Sequence, residues 1–275
     1  EQAVTFKRNG RSRWAGICML APGKKKTHKA YVWAYCTTPF ADLKATVYDF
    51  APSRAGEHAR NFLGDWQGKL VCDDYAGYKA GFGKGIVEIG CMAHARRKFY
   101  DLHQANQSTL AAQALDYIGQ LYEVERQTKD EPPDRRQAIR AAKARPLADA
   151  LHQWMIAQRT KVPDGSGTAR ALDYSLKRWA ALTRYLDDGR VPIDNNRVEN
   201  QIRPWALGRS NWLFAGSLRS GQRAAAVMSL IQSAKLNGHD PYAYLKDVLT
   251  RLPTQRASQI SQLLPHQWEP PKTGQ

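Results

Sequence analysis

The order in which apolar runs change period along the chain constrains the fold most. Ala15–Leu20, Ala30–Cys36 and Ala45–Phe50 are short runs rich in aromatic and branched residues, the first closed by Pro22-Gly23. Such runs read as strands. A helix is predicted over Arg54–Asp65, capped by Ser53 and burying Ala55, Ala59, Phe62 and Leu63. Lys69–Cys72 and Ile86–Cys91 read as a fourth and a fifth strand, the fifth running at once into a basic helix, His94–His103. Strands that follow one another directly, then strands separated by crossovers, imply a mixed sheet with helices on its faces, an α/β fold. Lys24, Lys25 and Lys26 fall in an exposed loop, and residues 1–14 are polar and basic with no clear period.

The middle of the chain is helical. Ser108–Gln127 carries Ala111, Leu115, Ile118, Leu121 and Val124 at helical spacing. Asp134–Thr160 reads as two helices divided at Pro146, with Leu147, Leu151, Trp154 and Met155 inward, because proline lacks the amide that a helix interior needs. Ala169–Leu186 shows Leu172, Leu176, Trp179 and Leu182, with Gly189 as a stop. Further on, Gln222–Leu236 ends at Asn237-Gly238, and another helix opens with Asp240 as cap and Pro241 at its first position. Leu263, Leu264 and Trp268 would anchor the tail.

Charge narrows the class of partner. The chain carries 41 Lys+Arg against 25 Asp+Glu, a net charge of +16. A surplus of that size favours a polyanion, and nucleic acid before membrane, since no lysine-rich amphipathic anchor stands out. Cys18, Cys36, Cys72 and Cys91 lie far apart with no CxxC pair, so neither a zinc knuckle nor a disulfide framework is indicated, which suits a reducing, cytoplasmic setting. No apolar run approaches the ~20 residues of a membrane span, and no signal peptide is visible.

Three stretches carry candidate chemistry. Ile193–Gly216 holds one acid, Glu199, among Arg197, Arg203 and Arg209, with Asn195, Asn196, Asn200, Asn211 and Trp212. Asp194 is placed to cap a helix on which Val198 and Ile202 share a face and Glu199 stands one turn before Arg203. Pro204 is predicted to end or kink that helix. The stretch reads either as a surface helix with an ion pair or as a surface for phosphates and bases. Asp73 follows a buried strand directly, where ligand and catalytic groups gather in α/β sheets, although Asp73 and Asp74 also suit a simple turn. Carboxylates on a strand end and on a later helix match Mg²⁺, which takes oxygen ligands. In Cys91–Phe99, Arg96, Arg97 and Lys98 make a basic helix start for phosphates, or else a solvated charged face. Cys91 and His94 are at most half a metal site. No phosphate-binding glycine loop is present.

The blocks DDYAGY, GCMAHARRKF, IDNNRVENQIRPWALGRSNWLFAGS and SLIQSAKLNGHDPYAYLKDVL, in that order, resemble the transposases of insertion-sequence family 66. The resemblance runs from about Leu20 into the LLPHQW tail. It implies a ribonuclease H-like core that cuts and joins DNA with Mg²⁺ or Mn²⁺, held by two aspartates and a glutamate. The second aspartate falls on Asp73 and the glutamate on Glu199. Arg96, Arg97, Lys98, Arg203 and Arg209 would then hold DNA phosphates, and Trp212 would stack on a base. The core would comprise residues 1–105 and 191–236, with a helical insertion at 106–190 and a C-terminal helix and tail at 237–275. The expected partners are the element's DNA ends and target, a second copy on DNA, and companion proteins of the same element.

One departure matters. The family's first aspartate belongs in a DET-like motif shortly before LAPG, but here that place reads RSRWAGICML, and the only acid before Asp42 is Glu1. Since the resemblance begins at the catalytic core, the family's N-terminal zinc-binding and DNA-recognition regions are expected to be missing. A frameshifted or truncated element would account for both, and strand transfer would then be impaired. The rival expectations are a non-catalytic DNA-binding remnant of the same fold and an unrelated basic structural protein.

Overall fold

The computed structural model describes residues 3–8, 17–20, 23, 27–82, 85–212 and 214–271. The chain forms two compact units, one built on Trp66–Asn196 and the other on Gln2–Asp65 with Arg197–Gln275. The loop lysines 24–26 lie outside the described residues, as does most of RSRWAGICML.

The second unit opens with strands β1 (Ala3–Arg8), β2 (Ile17–Met19), β3 (His28–Thr37) and β4 (Thr46–Ala51). β1 and β2 pair antiparallel with successive stretches of β3, and β4 pairs antiparallel with β3 from Tyr31↔Ala51 to Cys36↔Thr46. Residues of a strand alternate between faces, and β3 is buried on both. Ala30, Val32, Ala34 and Cys36 join a core of Phe50, Val198, Ile202, Trp205 and Ala225. On the other face Tyr35 stacks on Phe62 of helix α1 (Gly56–Leu63) with ring centroids 3.7 Å apart. Ser53 does not cap α1. Its hydroxyl accepts the Ala55 amide and bonds the His58 ring, so the helix starts later, and Phe62 stays 42% exposed despite its stacking.

Among the described residues the first unit holds two strands. β5 (Gly68–Cys72) and β6 (Ile86–Gly90) pair parallel, joined by a 3₁₀ segment at Ala76–Gly81. The helices follow: α2 (Met92–Asn106), α3 (Thr109–Gln127), α4 (Pro133–Ile139), α5 (Arg145–Arg159), α6 (Gly167–Lys177) and α7 (Trp179–Thr183). Ser108 caps α3 and Ser166 caps α6, each accepting an amide in the first turn. The break expected at Pro146 is a π-helical turn over Arg140–Ala144, which places Pro146 in the first turn of α5, where a missing amide does no harm.

That turn holds a fully buried Arg140. Its guanidinium donates to both Glu125 carboxylate oxygens at 2.8 and 2.6 Å and to the carbonyls of Tyr185, Asp188 and Val191 at 2.8, 2.8 and 2.9 Å. Arg136, one turn earlier, donates to the carbonyls of Thr128, Lys129, Glu131 and Gly189. Two cations counted in the basic surplus therefore fasten the 185–191 loop that leads into Ile193–Asn196. They are internal scaffolding, removed from any nucleic-acid surface.

The chain then returns to the second unit through α8 (Asn196–Trp212), β7 (Phe214–Ala215), α9 (Leu218–Leu236) and α10 (Pro241–Arg251). β7 runs parallel to β2, which makes this sheet mixed. Pro204 does not end α8, which continues to Trp212. Val198, Ile202 and Trp205 anchor one face of the helix in the core, and the Tyr48 hydroxyl donates to the Gln201 carbonyl at 2.6 Å beside the missing amide. A capping box of Ser217 and Ser220 starts α9. Asp240 caps α10 with Pro241 in its first turn, as the sequence indicates. In the tail Leu263 and Trp268 are buried against Tyr244 and Val248, whereas Leu264 is 42% exposed: it follows the last 3₁₀ turn and points outward.

Candidate nucleic-acid interface

The two most distinctive sequence blocks meet in the first unit. Where β6 ends, the Met92 amide donates to the Ile193 carbonyl at 3.1 Å, and the buried Cys91 thiol donates to the Asn195 side chain at 3.1 Å. Cys91 thus locks the start of α2 to the IDNN stretch, which explains it without a metal. Asp194 then organises the approach to α8. One of its oxygens accepts the Asn196 amide at 2.9 Å, and the other accepts the Asn196 side-chain amide at 2.8 Å and the Tyr122 hydroxyl at 2.7 Å. Burial and then the Asp194 charge push the Tyr122 pKa upward, which keeps that hydroxyl a donor.

Arg96, Arg97 and Lys98 are all exposed on α2, but they do not form one patch. Arg96 and Arg97 line an open cavity of about 530 Å³ together with Tyr100, Tyr122, Arg126 and Asn196. The Arg96 guanidinium stands 5.8 Å from the Tyr100 ring centroid, and Arg126 of α3 is held by Glu123 at 2.9 Å. Lys98 turns to the Tyr174 ring, 4.4 Å away.

Asp73 stands where β5 ends, half-buried, with one carboxylate oxygen accepting the Tyr75 amide at 3.2 Å in an Asx turn. Its other oxygen makes no hydrogen bond among the described residues. Asp74 is spent otherwise: Arg178 donates to it and, at 2.7 Å, to Glu88, while Lys79 lies 3.7 Å away. Burial first, and after it Asp74 and Asp73, act upward on the Tyr174 hydroxyl, which shares their surroundings. Cys72 is likewise pushed up by burial, then by Glu88 and Asp73. Among the described residues no group of three or more His, Cys, Asp or Glu side chains is gathered for a metal ion.

In the second unit Glu199 lies half-buried in the first turn of α8, and Arg203 is exposed one turn on. The side chains of Arg209 and Trp212 lie outside the described residues. Sequence reasoning passed over Tyr100, Tyr122, Arg126 and Arg178. A signal for the α3 pair was available, since Gly119, Tyr122 and Arg126 recur at helical spacing on a face adjoining that of Ile118 and Leu121. Among the described residues no helix is long and apolar enough to cross a membrane.

The chain is basic and mixed α/β, with an acid at a strand end and an arginine-lined cavity. Comparison gives its family. Residues 16–223 match the Transposase IS66 family and residues 229–266 match the IS66 C-terminal element; the chain belongs to the IS66 transposase family. It is 35% identical over 259 residues to the uncharacterized protein y4hP of Sinorhizobium fredii, covering 86% of this chain and 47% of that one. It is 36% identical over 268 residues to y4qI of the same organism, covering 93% and 50%. The chain thus spans about half the length of these relatives. No solved structure matches the chain.

Proposed function

We propose that this chain is the catalytic portion of an insertion-sequence transposase of ribonuclease H-like fold, which cuts and joins DNA phosphodiesters with Mg²⁺ or Mn²⁺. The observation that carries the reading is that the family match spans both motif acids, one of which, Asp73, emerges at the end of β5 with an oxygen to spare. Hairpin strands followed by the parallel β5–β6 pair agree with such a fold.

The donor chemistry fits the ion. Mg²⁺ is commonly held through one or two carboxylates together with substrate phosphates, and Asp73 and Glu199 would supply them. Asp74 is a poor substitute, being neutralised by Arg178. When bound, the metal would polarise the scissile phosphate and lower the pKa of an attacking water or 3′-hydroxyl. The protein's own part is placement: Arg96 and Arg97 hold phosphates beside the IDNN stretch, with Arg203 and Arg209 adding positive charge on α8.

The sequence RSRWAGICML, lacking the family's first aspartate, favours a second reading in which the chain binds DNA but joins it poorly. Removing one member of a catalytic set costs orders of magnitude in rate. A strand-transfer assay on the element's own ends, run in Mg²⁺ and Mn²⁺ with Asp73→Asn and Glu199→Gln variants, separates the two. Weak activity lost in both variants supports the catalytic reading; activity indifferent to both variants overturns it. DNA binding with no metal-dependent cleavage in any form supports the remnant.

A further inference from the structure

The cavity between α2 and α3 has three properties that general DNA affinity does not require. It is concave, about 530 Å³, within the ~300–1,000 Å³ of small-ligand pockets. A convex duplex backbone needs no such hollow. Its walls carry an exposed aromatic ring, Tyr100, 44% accessible and already faced by the Arg96 guanidinium. Its floor is made low by a glycine. Gly119 lies in the middle of α3, where glycine weakens a helix, and a methyl group built on it would meet no atom within 4 Å. Packing therefore does not demand a glycine there. What its absent side chain provides is the depth of the cavity.

We propose that this cavity receives one unpaired nucleotide of a DNA strand. Arg96, Arg97 and Arg126 hold its phosphates from the two helices, and Tyr100 stacks on its base. The Asn196 side-chain NH₂ is committed to Asp194, which leaves its carbonyl oxygen to accept a donor on the base edge. Asp101, the acid of the lining, sets the phosphate on the arginine side of the pocket. The proposal rests on the DNA-handling reading above and adds to it the form of DNA: strand ends or distorted junctions, where a base is out of the stack.

The test needs no metal and no catalysis. Fluorescence anisotropy in EDTA compares a dye-labelled single-stranded 12-mer of thymidine with a blunt duplex of equal length, using the whole chain and its Gly119→Leu and Tyr100→Leu variants. Leucine suits a helix, and the space at Gly119 is open, so the first variant keeps the fold; a circular dichroism melt checks this. The expected result is tighter binding of the single strand, weakened about 5- to 100-fold by either substitution, as stacking of one base is worth, with duplex binding unchanged. Equal loss on both DNAs, or no loss in either variant, overturns the pocket. The assay runs in EDTA without cleavage, so a failure of the metal site and a failure of the pocket are read separately.

Discussion

Tyr122 donates its hydroxyl to Asp194 at 2.7 Å, on the same oxygen that accepts the Asn196 side chain at 2.8 Å. Through this carboxylate the central helix of the first unit fixes the stretch from which α8 departs. Tyr122→Phe removes one donor to a charged acceptor and should cost about 1.5–3 kcal/mol, read as a lower melting temperature. Asp194→Ala removes both partners' acceptor and should cost more. Equal melting temperatures for Tyr122→Phe and the parent would dismiss the link.

Alkaline conditions should unfold the protein early. Burial pushes the pKa of Tyr35, Tyr48, Tyr122, Tyr174 and Tyr185 up from the ordinary 10.0, and that of Tyr244 to about 12. A raised acid binds its proton more tightly in the folded state, so its contribution is intact below pH 10 and falls as pH rises beyond it. Denaturant midpoints should hold level below pH 9.5 and decline steeply above pH 10. A flat profile to pH 11.5 would contradict the burial of these rings.

Arg140 is a costly side chain to remove from the first unit. Arg140→Ala leaves the largely buried Glu125 without its partner and orphans the carbonyls of Tyr185, Asp188 and Val191, which should cost roughly 3–5 kcal/mol. Arg145→Ala, whose pair with Asp187 is solvent-exposed, should cost under ~1 kcal/mol. Comparable losses in the two variants would mean that burial does not govern these pairs.

Ser233 stands in for a neighbouring strand. Its hydroxyl accepts the Thr46 amide at 3.0 Å and donates to the Thr46 carbonyl at 2.9 Å, while Ser229 accepts the Tyr48 amide at 2.8 Å. Two serines one helical turn apart on α9 thus satisfy the open edge of β4, where an unpaired strand invites aggregation. Ser233→Ala should cost about 1–3 kcal/mol, and the Ser229→Ala/Ser233→Ala double variant should aggregate faster on heating, as followed by light scattering. Unchanged scattering would reject the protective role.

Much of the architecture was legible. The short apolar runs became β2 to β6, and Ser108 and Asp240 cap helices as their residue types indicate. β1 was missed because Ala3–Arg8 ends in two cations and shows no clear period, so its partner β3, remote in sequence, decides its conformation. Pro204 does not end α8 because propensity speaks for an isolated helix, whereas Val198, Ile202 and Trp205 hold α8 by burial. Net charge spoke for a polyanion without separating surface from interior: Arg136, Arg140 and Arg178 are consumed by carbonyls and acids of the fold. The α2–α3 cavity was illegible for another reason. It is made by two helices meeting, and sequence shows each helix face alone.

The most direct test of the central claim, that Asp73 and Glu199 are the metal-binding acids, is calorimetric titration of Mn²⁺ into the purified chain beside Asp73→Ala and Glu199→Ala. Each variant should first be shown by circular dichroism to keep the parent's fold. The account predicts saturable binding in the parent and its loss in both variants. Binding that persists undiminished in both, or no binding in the parent, would contradict it.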